Sequence, residues 1–206
     1  MSITESLIAY TLAAGLLTLT PGLDTALVLR TATVEGRKQA LQAAAGINLG
    51  CLLWGVAVAC GLGALIAVSE LAYDLLKYCG AAYLCWLGIG MLLHPRKGMV
   101  TSESPGNRQT NWLLKGMAGN MLNPKVGIFY VSFLPQFIPQ GHSLFFWTLG
   151  LVGIHMLLGI TWLMTLIAAT RPLSRFFHRP RVVATMDRLT GIVLLSFAAR
   201  LAFSKR

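Results

Sequence analysis

The stretch TLTPGLDTALVLR, which runs from Thr18 to Arg30, places a proline, a glycine and an aspartate inside an otherwise apolar run. Proline in a helix interior removes a backbone hydrogen bond, and an ionisable residue inside a membrane is costly and commonly functional. The surrounding residues are apolar enough for a membrane span. The stretch therefore predicts a membrane helix that is broken near Pro21 and carries Asp24 beside the break.

The composition is that of a membrane protein. Of the 206 residues, 55% are hydrophobic and 12% are charged, and residues 39–69 and 126–170 contain no Lys, Arg, Asp or Glu. Crossing the hydrocarbon takes about 20 apolar residues, and the alternating segments of a membrane barrel are absent. The predicted fold class is an all-α polytopic membrane protein with six transmembrane helices. These helices are Ile3 to Val34, Ala40 to Val68, Leu71 to Leu93, Gly116 to Ile138, Leu144 to Ala169 and Ala184 to Phe203.

The basic residues fall in alternate loops, namely those after the first, third and fifth predicted helices. By the positive-inside rule these loops are cytoplasmic, which places both termini on the periplasmic side. The net charge of +10 thus reports topology, and nucleic-acid binding is not predicted because no basic segment is interleaved with aromatic residues. The chain reads as one transmembrane domain whose halves, about 1–93 and about 116–206, are joined by a cytoplasmic linker, 94–115.

The two halves share a pattern of breaks. The motif TPG at residues 20–22 in the first span has a counterpart, NPK at residues 123–125, in the fourth. Gly46 and Gly50 in the second span have counterparts at Gly150 and Gly153 in the fifth. Because three helices per half is an odd number, the halves insert in opposite orientations. The pattern predicts an inverted-topology repeat of three plus three helices with broken first and fourth helices.

Each break motif pairs a residue that can cap a helix, Thr20 or Asn123, with a proline suited to the first helical position. Broken helices at matching places mark the substrate sites of transporters. Asp24 can bind an ammonium there, while Lys125 and the positive helix N-termini can bind a carboxylate, so the site complements a zwitterion. The predicted substrate-binding residues are Thr20, Pro21, Gly22, Asp24, Asn48, Asn120, Asn123, Pro124 and Lys125.

Alternatives stay open at this point. The prolines can be ordinary kinks, with Asp24 and Lys125 serving only to neutralise each other. For Asn48 and Asn120 a role in helix packing competes equally with a role in the site. His155 is explained better by a hydrogen bond to a neighbouring helix than by proton relay, and Gly46 with Gly50 fits either internal packing or a homo-oligomer.

No enzyme motif competes with these assignments. HExxH, GxSxG and a phosphate-binding glycine loop are absent from the sequence, and the four cysteines lack CxxC spacing, so neither a cofactor nor a metal site is predicted. Export of another small solute or a metal cation is an alternative, although a cation site would require several carboxylates. A membrane scaffold that transports nothing is another.

Three segments resemble the lysine exporter and homoserine/threonine resistance (LysE/RhtB) family of bacterial amino-acid exporters. They are TPGLDTALVLRTATVEGRKQALQAAAGINLG at 20–50, GAAYLCWLGIGML at 80–92 and GMAGNMLNPKVGIFYVSFLPQF at 116–137. The resemblance implies a six-helix bacterial inner-membrane protein that exports amino acids or close derivatives by using the proton gradient. Where the family usually has a second proline, this chain has Leu23.

Coupling to protons requires a group whose protonation changes between the inward and outward states. Asp24 is the candidate, because a carboxylate deep in a span can alternate between water and a cation partner. The predicted partners are an amino acid or a small zwitterion, protons and the lipid bilayer.

Overall fold

The computed structural model describes residues 2–68, 70–95, 110–139, 141–170, 172, 176 and 179–203. Within these ranges the chain is helical and contains no strand. Most of the predicted linker 94–115 lies outside the described residues. The helices are α1 Ile3–Leu19, α2 Leu23–Val34, α3 Arg37–Val68, α4 Glu70–Leu93, α5 Trp112–Met121, α6 Pro124–Ile128, α7 Leu144–Ala168 and α8 Pro180–Phe203.

The first span is broken as predicted, with α1 and α2 bent by 48°. The helix α1 ends at Leu19 because a residue that precedes proline is pushed towards extended backbone, and Thr20 has ψ 116°. The capping prediction is wrong for this break. The helix α2 begins at Leu23 rather than Pro21, and its N-cap is Gly22, which is extended and makes no side-chain capping bond. The Thr20 hydroxyl is instead directed back towards α1, where it donates to the Leu16 carbonyl at 2.7 Å.

The fourth span breaks as the sequence predicts. Asn123 caps α6 by accepting a hydrogen bond from the backbone N–H of Lys125 at 3.1 Å, and Pro124 is the first helical residue. The span begins at Trp112, four residues before the predicted Gly116, because the Asn111 side chain caps α5. Beyond α6 the chain continues as a π-helical turn, 129–133, and a 3₁₀ turn, 134–137. The second half of this span is therefore irregular, a feature frequent at functional sites.

Two glycines bring α3 and α5 into backbone contact. A Cβ on Gly46 would overlap the Leu113 carbonyl, and a Cβ on Gly116 would overlap the Ala43 carbonyl. The face of α3 that carries Gly46 and Gly50 therefore packs inside the chain. Of the two explanations for these glycines, internal packing or a homo-oligomer, the structure shows internal packing. The helix α3 also packs extensively on α7 and α2.

The helices α4 and α8 form a closely packed pair. A Cβ on Gly88 would lie 2.9 Å from the Gly191 carbonyl oxygen, and a Cβ on Gly191 would lie 2.8 Å from the Gly88 carbonyl oxygen. Each of these helices has 24 residues. Most of the contacts that either helix makes outside itself are with the other, and the pair lies beside the α1, α3 and α7 bundle.

The lengths and compositions of several helices fit a membrane. The segments Arg37–Gly61 and Leu144–Ala168 are each long and apolar enough to cross it, and the bent pair α1 and α2 could form a third span. The structure therefore supports a helical membrane protein. The count of six spans stays a prediction, because only the described residues can be judged in this way.

An aromatic cluster fills the bundle between the break in the fourth span and the start of α7. It consists of four buried side chains, Tyr10, Phe129, Phe133 and Phe137. Their ring centroids are 4.8 Å apart for Phe129 and Phe133 and 5.4 Å apart for Tyr10 and Phe137. The Ser6 hydroxyl donates to the Phe137 carbonyl and so fastens the start of α1 to this cluster.

Candidate functional site

Two adjacent cavities lie at the helix breaks. The inner cavity is about 60 Å³, which is room for a few water molecules, and the outer cavity is about 520 Å³. Both are lined by Gly22, Asn123 and Lys125, so the two cavities meet where α2 and α6 begin. The predicted site residues that line the inner cavity are Thr20, Gly22, Asp24, Asn48, Asn123 and Lys125.

Lys125 joins the two breaks. Its ammonium donates hydrogen bonds of 2.9 Å to the carbonyl oxygens of Leu17 and Thr20. These carbonyls belong to the C-terminal end of α1, where the last backbone acceptors of a helix lack partners and carry partial negative charge. The ammonium therefore satisfies and neutralises the end of α1. It also lies close to Gly22, since a Cβ there would be 3.7 Å from the Lys125 nitrogen.

Asp24 lies in the first turn of α2 and is held by Asn120. The amide nitrogen of Asn120 donates to an Asp24 carboxylate oxygen at 2.9 Å, and its contact with the Cys51 sulfur is 3.5 Å. Asn120 is fully buried and fits only because Gly50 has no side chain, as a Cβ there would be 2.7 Å from the Asn120 oxygen. Asn120 thus lies behind the cavity wall and orients the carboxylate that faces the cavity.

Thr20 connects the broken first span to the last helix. Its hydroxyl contacts the hydroxyl of Thr190, and both residues are buried. Thr20 lines the inner cavity and Thr190 lines the outer one. The paired hydroxyls therefore lie between the two cavities.

His155 has the partner that the sequence could not identify. Its Nδ1 atom lies 2.8 Å from the Tyr130 hydroxyl, and both side chains are buried. His155 also lines the inner cavity. A hydrogen bond to a neighbouring helix, the simpler of the two explanations, is thus present.

The structure brings together most of the predicted site. Pro21 and Pro124 lie at the two breaks, and Asn48 reaches the cavity while its amide donates to the Ala44 carbonyl at 2.9 Å. One wall of the inner cavity is formed by α7, the fifth predicted span, and of its residues sequence reasoning considered only His155. Gly159 and Trp162 follow His155 on the same face of α7 and line the same cavity. Their spacing of four and seven residues from His155 is that of one helix face and could have been recognised from the sequence.

Polar and charged groups gathered at helix breaks in the interior of a helical membrane protein are typical of membrane transporters. The particular family follows from comparison. Residues 16–205 match the family described as LysE type translocator, so the chain belongs to this family and is a transporter rather than an enzyme.

Curated relatives cover nearly the whole chain. A leucine efflux protein of Klebsiella pneumoniae is 31% identical over 95% of this chain and 93% of its own length. A homoserine/homoserine lactone efflux protein of Salmonella typhimurium is 28% identical over 96% of each chain. An uncharacterized membrane protein of Vibrio cholerae is 32% identical over 96% of this chain and 97% of its own length. No solved structure matches significantly.

Proposed function

We propose that this protein is a secondary transporter that exports an amino acid or an amino-acid derivative across the bacterial inner membrane. The observation that carries the proposal is that Asp24 and Lys125, which come from different halves of the chain, line one cavity at the two helix breaks. The efflux functions named for the relatives support the same class of substrate.

The charges at the cavity suit a zwitterion. The Asp24 carboxylate can accept hydrogen bonds from an α-ammonium, and Lys125 can pair with an α-carboxylate. The first turn of α2 also favours the α-carboxylate of the substrate, because its N-cap, Gly22, makes no side-chain hydrogen bond to the backbone N–H groups there. Backbone N–H groups at such a helix start favour an anion.

The packing supports the repeat of three plus three helices in a single transmembrane domain. An inverted repeat pairs the second span with the fifth and the third with the sixth across its pseudo-two-fold axis. Consistent with this, α3 packs on α7 and α4 packs on α8. The basic loops are assigned to the cytoplasm and both termini to the periplasm by the positive-inside rule.

On this proposed topology the outer cavity lies on the cytoplasmic side of the inner cavity. The outer cavity includes His94, at the end of α4 that leads into the linker. The aromatic cluster fills the other half of the bundle, on the periplasmic side. The inner cavity, at about 60 Å³, is far below the several hundred Å³ typical of small-molecule sites, so it must expand during transport.

Proton coupling is assigned to Asp24. A protonated Asp24 holds no ammonium strongly, whereas an ionised Asp24 does, so proton binding from the periplasm would release the substrate there. Asn120 suits either form, because its amide can donate to the carboxylate and its oxygen can accept from the carboxylic acid. The Asn120 oxygen has no hydrogen-bond partner among the described residues.

The test is uptake of labelled leucine and homoserine by inverted membrane vesicles, with and without a proton gradient. The parent protein should accumulate at least one of them when the lumen is acidified. Asp24→Asn should abolish the dependence on the gradient, while Glu35→Gln, at the other end of the same helix, should keep it. Uptake by Asp24→Asn that still follows the gradient would move coupling to another residue, and no uptake by the parent would contradict amino-acid export.

A further inference from the structure

Three buried polar groups at the aromatic cluster have no hydrogen-bond partner within the part of the chain that the structure describes. They are the Tyr10 hydroxyl, the Trp54 indole nitrogen and the Thr148 hydroxyl. The side chains of Tyr10 and Thr148 are completely buried. A buried polar group without a partner has lost its hydration and gained no hydrogen bond in exchange. The arrangement that buries these groups is therefore destabilised by them.

The three groups come from three helices and converge on one place. Tyr10, on α1, is one of the four rings of the aromatic cluster. Trp54, on α3, packs against the cluster, and its ring lies beside Gly127, where a Cβ would be 2.7 Å from it. Thr148, on α7, lies one turn before Val152, a buried residue of the same hydrophobic core. The unsatisfied groups thus gather where the bundle is filled by aromatic side chains.

One face of α7 connects this place with the inner cavity. Thr148, Val152 and His155 are all buried and follow one another at the spacing of one helix face. Thr148 lies about 6 Å along the helix from its start, and His155 lies about 10 Å further. His155 lines the inner cavity and contacts the Tyr130 hydroxyl. Polar side chains therefore extend from near the start of α7 to the inner cavity.

We propose that Tyr10, Trp54 and Thr148 line the periplasmic exit path of the substrate, and that the aromatic cluster closes this path in the present structure. On the proposed topology α7 starts at the periplasmic side. When the cluster separates, the three polar groups form hydrogen bonds with water and with the charged ends of the departing amino acid. The inference rests on the proposed function and adds to it the route by which the substrate leaves.

The backbone that carries the cluster is suited to such a movement. Phe129 and Phe133 belong to the π-helical turn 129–133, and Phe137 belongs to the 3₁₀ turn 134–137. Turns of these kinds within a span often mark functional hinges. The Ser6 hydroxyl, which donates to the Phe137 carbonyl, releases it when the path opens. Three of the four rings can then move away from Tyr10 without unfolding a regular α-helix.

Thiol labelling from the periplasmic side tests whether the path opens. The probe is a charged, membrane-impermeant methanethiosulfonate, applied to right-side-out vesicles that contain the Thr148→Cys protein. The introduced thiol should react although this position is buried in the closed state, and the parent protein gives the background of its four cysteines. Thr165→Cys, near the other end of α7, should stay at that background. No reaction of Thr148→Cys above the background would overturn the proposal.

Removal of the hydroxyls keeps the inference testable if Thr148→Cys fails to accumulate in the membrane. Thr148→Val and Tyr10→Phe each delete a polar atom without a partner in the closed state, so the free energy of unfolding should stay equal or rise. The open state loses the hydration of that atom and becomes less populated. The maximal rate of leucine uptake by inverted vesicles with an acidic lumen should therefore fall at least about fivefold.

Thr165→Val is the matched control for the hydroxyl variants. The Thr165 hydroxyl donates to the Thr161 carbonyl at 2.8 Å, and its removal should leave the uptake rate unchanged. Unchanged rates in Thr148→Val and Tyr10→Phe, or rate losses that accompany losses of stability, would overturn the exit path. If the parent transports none of the tested amino acids, the proposed function itself has failed. The labelling of Thr148→Cys requires no substrate and still decides whether this side of the bundle opens.

Discussion

Replacing Lys125 by methionine keeps the length of the side chain and removes its ammonium. In the structure that ammonium donates two hydrogen bonds of 2.9 Å, to the carbonyls of Leu17 and Thr20. A hydrogen bond that involves a charged group contributes about 1.5–3 kcal/mol, so two of them set an upper range of roughly 3–6 kcal/mol. Because Lys125 is only half-buried, water can replace part of this. We expect the free energy of unfolding to fall by about 3 kcal/mol.

The measurement is unfolding of purified protein in mixed micelles, titrated with a denaturing detergent and followed by circular dichroism. Lys115→Met is the matched control, since it makes the same substitution ten residues earlier in the broken span. Lys115 lies 5.1 Å from the centre of the Trp112 ring, a contact that contributes about 0.5–1 kcal/mol at an exposed position. The two variants should therefore differ by roughly 2 kcal/mol.

Equal stabilities of the Lys125→Met and Lys115→Met proteins would refute the view that Lys125 supports the end of α1. If the Lys125→Arg protein lost as much stability as the Lys125→Met protein, the packing of the lysine side chain, and not its charge, would be responsible. Loss of leucine uptake without any loss of stability would assign Lys125 to the substrate alone.

Two further predictions concern packing and the buried polar pair. Gly116→Ala should lower the free energy of unfolding by about 1–3 kcal/mol or prevent accumulation in the membrane, because its Cβ overlaps the Ala43 carbonyl on α3. Gly150→Ala, which meets nothing within 4 Å, should be close to neutral, and similar losses in both variants would argue against the close α3 and α5 contact. Tyr130→Phe should lower stability by about 1–3 kcal/mol by leaving the His155 ring nitrogen without this hydroxyl, and detergent titration should detect that loss. An unchanged transition would show that the pair contributes nothing.

The breaks themselves were predictable because their cause is local. Pro21 and Pro124 each lack a backbone N–H, so each removes a hydrogen bond from its helix and kinks or breaks the helix at that point. The capping of α6 by Asn123 is equally local, since the capped N–H is two residues away. Placing Asp24 and Lys125 at one cavity required only that the two breaks meet.

The features of the site that were not predicted depend on contacts between distant parts of the chain. Thr20 has the right side chain for a cap, but its hydroxyl contacts Thr190, 170 residues away in sequence, and also donates within α1. Asp187 gives no signal in the sequence, because neither a motif nor the repeat marks its position. Its position beside the outer cavity follows only from the packing of α8 against α4.

The reciprocal glycine contact between α4 and α8 affects how that cavity can change shape. Gly88 of α4 lies against the backbone carbonyl of Gly191, and Gly191 of α8 lies against the backbone carbonyl of Gly88. The two helices therefore have little freedom to slide or roll over one another. The two helices are therefore held together as a unit. A change in the shape of the outer cavity then requires the pair to shift as a whole relative to the starts of α2 and α6, which supply Gly22, Leu23 and Lys125 to the same cavity.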